Sequence, residues 1–176
     1  GIQFDYYSGY SGYSFQPEIT LNDVHDNGGQ GLYISTSQSA TVVHNSIYNN
    51  TQNGIYLGNA GDVSRIHFNN LYGNNGDYAL HNNGSALVDA RYNWWDTAPT
   101  QEMDAGNNPK NITRLFDIYD DSNKGTVDYS HWLSASQTLA TDATSWITAP
   151  AAGETLKAAT YRIEGAATAP TDIDRV

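Results

Sequence analysis

One motif recurs through the first half of the chain: an Asn two residues ahead of an apolar or aromatic one. It reads Ile19-Thr-Leu-Asn22-Asp-Val24, Val42-Val-His-Asn45-Ser-Ile47, Ile66-His-Phe-Asn69-Asn-Leu71 and Ala90-Arg-Tyr-Asn93-Trp-Trp95. The anchors lie 23, 24 and 24 residues apart, and Asn27, Asn50 and Asn74 each follow an anchor by five. A second element keeps step: Gly1-Ile-Gln-Phe4, Gly31-Leu-Tyr-Ile34, Gly54-Ile-Tyr-Leu57 and a degenerate Asp77-Tyr-Ala-Leu80. Agreement at so many offsets marks an internal repeat, and a repeat of this period restricts the fold to stacked units.

Each period holds short stretches in which apolar and polar residues alternate, broken by Asn and Gly turns. Alternation with period two is the strand signature. A period of roughly 20–25 residues with several strands leaves no room for a helix and suits one coil of a parallel β-helix. Successive coils stack at the ~4.8 Å spacing of paired strands, so equivalent residues form columns. Four columns are predicted to point inward: Ile2/Leu32/Ile55/Tyr78, Phe4/Ile34/Leu57/Leu80, Ile19/Val42/Ile66/Ala90 and Val24/Ile47/Leu71/Trp95. Leu21/His44/Phe68/Tyr92 makes a fifth, which places His44 inside as a hydrogen-bonded core histidine. Asn22, Asn45, Asn69 and Asn93 are predicted to form an inward asparagine ladder, their amides bonding to one another and to the turn backbone. Tyr6 to Gln16 is too long for a turn and is expected to bulge as a loop.

Composition agrees. The chain has 18 Asn, 16 Gly and 13 Tyr, residues of turns and strands, and an all-helical fold is excluded. Net charge is −11, with −6 in residues 1–101, −3 in 102–128 and −2 in 129–176. Such a surface repels a phosphate backbone, so no nucleic acid is expected as a partner. The absence of Cys excludes disulfides, thiol catalysis and thiolate metal sites. No apolar run approaches the ~18 residues of a membrane span. The chain opens on Gly1 and its only methionine is Met103, so it is read as a mature or excised piece of something longer.

The Asn repeat together with Asn93-Trp-Trp resembles the right-handed parallel β-helix repeats of the pectate-lyase-like superfamily, of the cell-surface and secreted type. Those repeats often close on Asn-(Trp/Tyr)-Trp-Gly; here Asp96 replaces the Gly. The segment Asp117-Ile-Tyr-Asp-Asp-Ser-Asn-Lys-Gly-Thr-Val-Asp-Tyr-Ser-His-Trp-Leu133 is similar to the acidic segment that ends such helices in bacterial and archaeal surface proteins, with His131 where Pro is common. Trp146 to Gly165 resembles the opening of a bacterial immunoglobulin-like module, too short for a whole sandwich. The fold expectation is all-β: a right-handed parallel β-helix of about four coils, an irregular C-terminal cap and a partial Ig-like β tail. Residues 1–133 form the helix with its cap, 134–144 a linker and 145–176 the partial Ig-like segment. Trp94, Trp95 and Trp132 are expected to cover the last coil.

Function should sit on outward columns. Tyr33 and Tyr56 form one aromatic row, and His25, Tyr48 and Tyr72 another. Such rows could hold sugar rings by stacking, although Tyr columns also simply stabilise neighbouring strands. Glu18, Arg65, His67, Asp89 and Arg91 form the most catalytic-looking patch, since a uronate lyase needs a base and cations. The bland reading is a surface ion pair between Arg65 and Asp89. Asp117, Asp120, Asp121, Asn123 and Asp128 could gather oxygens around Ca²⁺. No EF-hand spacing is met, and solvated turn acids are the plainer reading; no other cofactor is expected.

The resemblance is specific for fold and weak for activity. The favoured expectation is a non-catalytic extracellular module of a prokaryotic surface or secreted protein, acting as scaffold or adhesin, with a polysaccharide or cell-surface glycan as a partner. Its other partners would be neighbouring modules of a longer chain or identical subunits. The alternatives are a fragment of a polysaccharide lyase or glycoside hydrolase, and a subunit of an extracellular filament.

Overall fold

The computed structural model describes residues 1–5, 16–35, 39–58, 64–138, 144–149 and 164–168. The expected loop from Tyr6 to Gln16 lies outside them except for Gln16. Two compact units divide the chain, Gly1–Gln137 and Thr138–Val176.

The first unit is a coil of three parallel sheets. One stacks β1 (Ile2–Asp5), β4 (Leu32–Ser35), β7 (Ile55–Leu57), β10 (Leu80–Asn82) and β12 (Leu115–Phe116). The second stacks β2 (Glu18–Thr20), β5 (Thr41–Val43), β8 (Ser64–His67), β11 (Val88–Asp89) and β13 (Val127–Asp128). The third holds β3 (Asp23–His25), β6 (Ser46–Tyr48) and β9 (Asn70–Tyr72), extended by a bridge from Asn70 to Trp94. All pairings in these sheets are parallel. Strands of two to four residues suffice because each is covered by the next coil, not by its own length.

The column logic holds for two predicted inward stacks in full. Ile19, Val42, Ile66 and Ala90 are buried in register, and so are Val24, Ile47, Leu71 and Trp95. The other two slip by two residues at the fourth coil: Leu80 lies on Ile55 and Asn82 on Leu57, so Tyr78 leaves the column. Tyr78-Ala-Leu80 imitates Ile55-Tyr-Leu57, but Leu80 follows Ile55 by 25 residues where Ile55 follows Leu32 by 23. Leu80 gains a fully buried place on Ile55. Asn82 is tolerated inside because its Nδ2 donates to Ala86 O (3.1 Å) and Gly125 O (3.0 Å), and its Oδ1 accepts from Gly84 N (3.1 Å). The repeated Gly is steric: a Cβ on Gly54 would stand 2.7 Å from Ala79 O.

Two asparagine ladders hold the corners. In the first, backbone N–H and Nδ2–H of each Asn donate to Oδ1 of the Asn one coil on. The distances are 2.9 and 3.0 Å from Asn22 to Asn45, 2.9 and 2.9 Å from Asn45 to Asn69, and 2.8 and 3.0 Å from Asn69 to Asn93. Asn27, Asn50 and Asn74 repeat the pattern five residues later. The residue just before each of the first six rungs is left-handed: Leu21, His44, Phe68, Tyr92, Asp26 and Asn49 have φ between 53° and 61°. Gly73, before Asn74, has φ 60°. A left-handed residue throws its side chain out of the coil, which corrects the fifth inward column. Leu21 is 56% exposed, and His44, Phe68 and Tyr92 ride on the outside.

The far end is closed by a helix the repeat does not announce, α1 (Thr97–Asp104), with Met103 fully buried. Trp95, Ile112, Leu115 and Tyr129 are buried beneath it, and Trp132 packs on the core while donating to Asp104 Oδ1 (2.9 Å). Trp94 does not join this cap; it is outside, beside Tyr72. Asp96 takes φ 74° and ψ 171°, a region essentially reserved for Gly that costs a side-chain-bearing residue about 1–3 kcal/mol. Its carboxylate compensates, accepting from Thr97 N (2.6 Å) as helix N-cap and from Gly73 N (3.1 Å) one coil back. His131 has φ 56°, a conformation closed to Pro. Residues up to Gln137 stay on the coil, Gln137 exchanging bonds of 2.7 and 2.8 Å with Asn70.

In the second unit β14 (Thr144–Ala149) and β15 (Glu164–Thr168) pair antiparallel, Trp146 opposite Ala166. Of the segment Trp146–Gly165 that resembles an Ig-like opening, residues 150–163 lie outside the described residues.

Asn69→Ala strips Asn45 of its acceptor and bares the carbonyls of Val42 and His67. It should cost about 3 kcal/mol in urea denaturation, against about 1 kcal/mol for the terminal rung Asn22→Ala; equal losses would contradict the ladder. Asp96→Ala keeps the backbone cost and loses both carboxylate bonds, so it should destabilise about 1–2 kcal/mol more than Asp96→Gly.

Candidate functional site

Period-two alternation sends every second strand residue outward, and stacking turns these into rows. Tyr33 and Tyr56 lie 5.3 Å apart at 4°. Beyond them the two-residue slip brings in His81, 4.8 Å from Tyr56, and then Phe116, 4.2 Å from His81. On the third sheet His25, Tyr48 and Tyr72 stack at 4.8 and 4.7 Å, and Trp94 follows at 5.4 Å, tilted by 45°. A third row, which the inward assignment hid, runs His44, Phe68, Tyr92 and His131 at 5.2, 5.2 and 5.3 Å. Its signal in the sequence is the aromatic residue directly before the Asn anchor.

Within a row the ring faces are taken by neighbouring rings, so edges and hydroxyls line the surface. Burial, and then the neighbouring Asp23, push the Tyr48 hydroxyl above its ordinary pKa, so it stays a hydrogen-bond donor at neutral pH. Trp94, tilted by 45° against Tyr72, ends the parallel stacking of this row.

The charged patch on the second sheet is arranged differently from its expectation. Arg65 and Asp89 are register partners, but Asp89 does not pair with Arg65. Its carboxylate is gripped by Arg91, Nε to Oδ1 at 2.7 Å and Nη2 to Oδ2 at 2.8 Å. The fork of a guanidinium matches both carboxylate oxygens. His67 Nε2 lies 2.7 Å from Asp89 Oδ1 without hydrogen-bond alignment, and His67 is 6% exposed. Arg65 and Glu18 are exposed, and neither has an ion pair among the described residues. The Arg91 hydrogen bonds hold the Asp89 carboxyl well below the usual carboxylate range, and His67 adds to this. A carboxylate so stabilised is a weak proton acceptor.

The acids of the closing segment serve its turns. Buried Asp117 accepts from Tyr119 N (2.9 Å) and Val127 N (3.0 Å), and burial raises its pKa. Asp120 accepts from Asp117 N (3.2 Å) and Asn111 Nδ2 (3.3 Å). Asp121 accepts from Asn123 N and Nδ2 at 3.0 and 2.9 Å, and Asp128 from Ser130 N at 3.0 Å. Among the described residues no three His, Cys, Asp or Glu side chains gather as metal ligands.

The lowered Asp89 pKa sets a sign. Its stabilisation is fully present above the unfolded value of about 3.9 and is lost as pH falls through the folded value. Urea midpoints measured between about pH 5 and pH 2 should fall less steeply for Asp89→Asn than for the native chain; parallel curves would contradict the assignment.

No curated protein and no solved structure matches this chain. The family model described as the right-handed β-helix region matches residues 5–93, half of the chain. That stretch holds β2 to β11 and both ladders. By its repeat, its parallel sheets and this match, the chain belongs to the right-handed β-helix family.

Proposed function

We propose that the chain is a non-catalytic extracellular module of a larger prokaryotic surface or secreted protein, a rigid β-helix that holds glycan along its aromatic rows. The observation that carries this reading is the row His25–Tyr48–Tyr72–Trp94, with rungs 4.7–5.4 Å apart on an outward face. Such a row offers apolar ring edges and hydroxyl donors at a regular interval, which suits a polymer of hydroxylated rings better than one compact ligand. The net charge of −11 favours neutral glycans over polyuronates.

The patch around Asp89 supports the non-catalytic side of the proposal. The carboxylate that a lyase would use as base is engaged by Arg91 and weakened as a proton acceptor. The antiparallel pair β14–β15 supports reading the second unit as an Ig-like tail, of the kind that joins modules in longer surface chains.

A glycan array probed with the native chain, Tyr48→Ala and Tyr33→Ala/Tyr56→Ala tests the reading. Loss of an aromatic contact should weaken neutral-glycan binding about tenfold per variant. Binding unchanged in both variants, with lowered thermal stability, would mean that the rows serve only the strands.

A further inference from the structure

Three stretches of the chain fit the Asn-x-Ser/Thr pattern read by enzymes that attach glycans to asparagine. They are Asn49-Asn50-Thr51, Asn83-Gly84-Ser85 and Asn111-Ile112-Thr113. Such an enzyme must reach the carboxamide and the hydroxyl two residues on, so burial or a hydrogen bond at either one closes the pattern.

The fold treats the three differently. Asn83 is half-buried and held at both ends of its carboxamide: Nδ2 donates to Gly58 O (3.3 Å), and Oδ1 accepts from Lys124 Nζ (2.7 Å). Asn111 is exposed, but its Nδ2 donates to Asp120 Oδ1 (3.3 Å) and Thr113 Oγ1 donates to Glu102 Oε1 (3.3 Å). Asn49 and Thr51 are both exposed, and neither side chain has a hydrogen-bond partner among the described residues.

The cause is the second ladder. Asn50 is a completely buried rung, its Nδ2 donating to Val24 O, Tyr48 O and Asn74 Oδ1. The residues on either side of that inward rung are turned outward. Asn49 is the left-handed corner residue, with φ 53°, and the backbone N–H of Thr51 is tied to Asn27 O (2.9 Å). One coil on, the corner residue is Gly73, where a Cβ would stand 2.6 Å from Asn49 Oδ1. The missing side chain lets Oδ1 lie over Gly73, with Nδ2 farther from it.

We propose that Asn49 is an N-glycan attachment site, the one pattern of the three that the folded chain leaves open. In the transfer, a bond forms from Nδ2 to C1 of the first sugar as the C1–O bond to a polyprenyl phosphate or diphosphate donor breaks. The Nδ2 proton passes to a base of the transferase, and the lipid phosphate leaves with the bonding electron pair. The Asn50 rung keeps all its bonds, since the new bond lies outside the coil. The inference rests on the extracellular placement proposed above, and not on the aromatic rows.

The test uses the folded full chain, a lipid-linked oligosaccharide and a purified single-subunit oligosaccharyltransferase. The enzyme is chosen because it glycosylates free peptides carrying each of the three patterns. Intact mass should rise by one glycan per chain, and fragmentation should place that glycan on Asn49. Asn49→Asp, which keeps a residue tolerant of the left-handed corner, should abolish the gain, and so should Thr51→Ala. Asn83→Gln and Asn111→Gln should retain it.

A folded chain that stays unmodified while the peptides react overturns the site. So does a glycan carried as heavily by Asn83 or Asn111 as by Asn49. Either result leaves the extracellular reading standing, because enzyme and donor are supplied in solution.

Discussion

The coil exists because side-chain amides hold its corners. At six corners a residue other than Gly is left-handed, each costing roughly 1–2 kcal/mol relative to ordinary backbone. An Asn follows each of them and fixes the turn with bonds to its own carbonyl side and to the next coil, as Asn69 does through His67 O, Val42 O and Asn93 Oδ1. Without those bonds the turn groups would be buried and bare. With them, the interior stays aliphatic and the corner bends sharply in two residues. The hydrophobic columns then need only short strands, since each residue is covered from above and below.

The same corner dictates what the surface offers. A left-handed residue before every anchor carries its side chain outward, so an aromatic there becomes a rung outside the coil. His44, Phe68 and Tyr92 are rungs of this kind, and His131 joins them by taking the same backbone angle after the last coil. Three aromatic rows thus arise from two simple causes, alternation along strands and handedness at corners.

Much of this was legible in the sequence. The anchor spacing located four coils, the Asn ladder and two core columns, because identical neighbours one turn apart force identical environments. Four features were not. His44 was misplaced because a pattern of polarity does not reveal the sign of φ. The register of β10 slipped because Tyr78-Ala-Leu80 mimics a strand segment that begins two residues later. The helix α1 and the grip of Arg91 on Asp89 depend on one-off contacts outside the repeat, where no column average exists to read.

The amide column also has a direction. Every rung passes its protons toward the next, at intervals of 23 or 24 residues, so the carboxamide dipoles align head to tail. A duplicated or deleted coil would leave that order intact, provided whole periods are exchanged and the indole-and-helix roof is left in place. Length is therefore a freely adjustable trait of this architecture, whereas the closing segment, with its unrepeated contacts, is the part that evolution must keep as one piece.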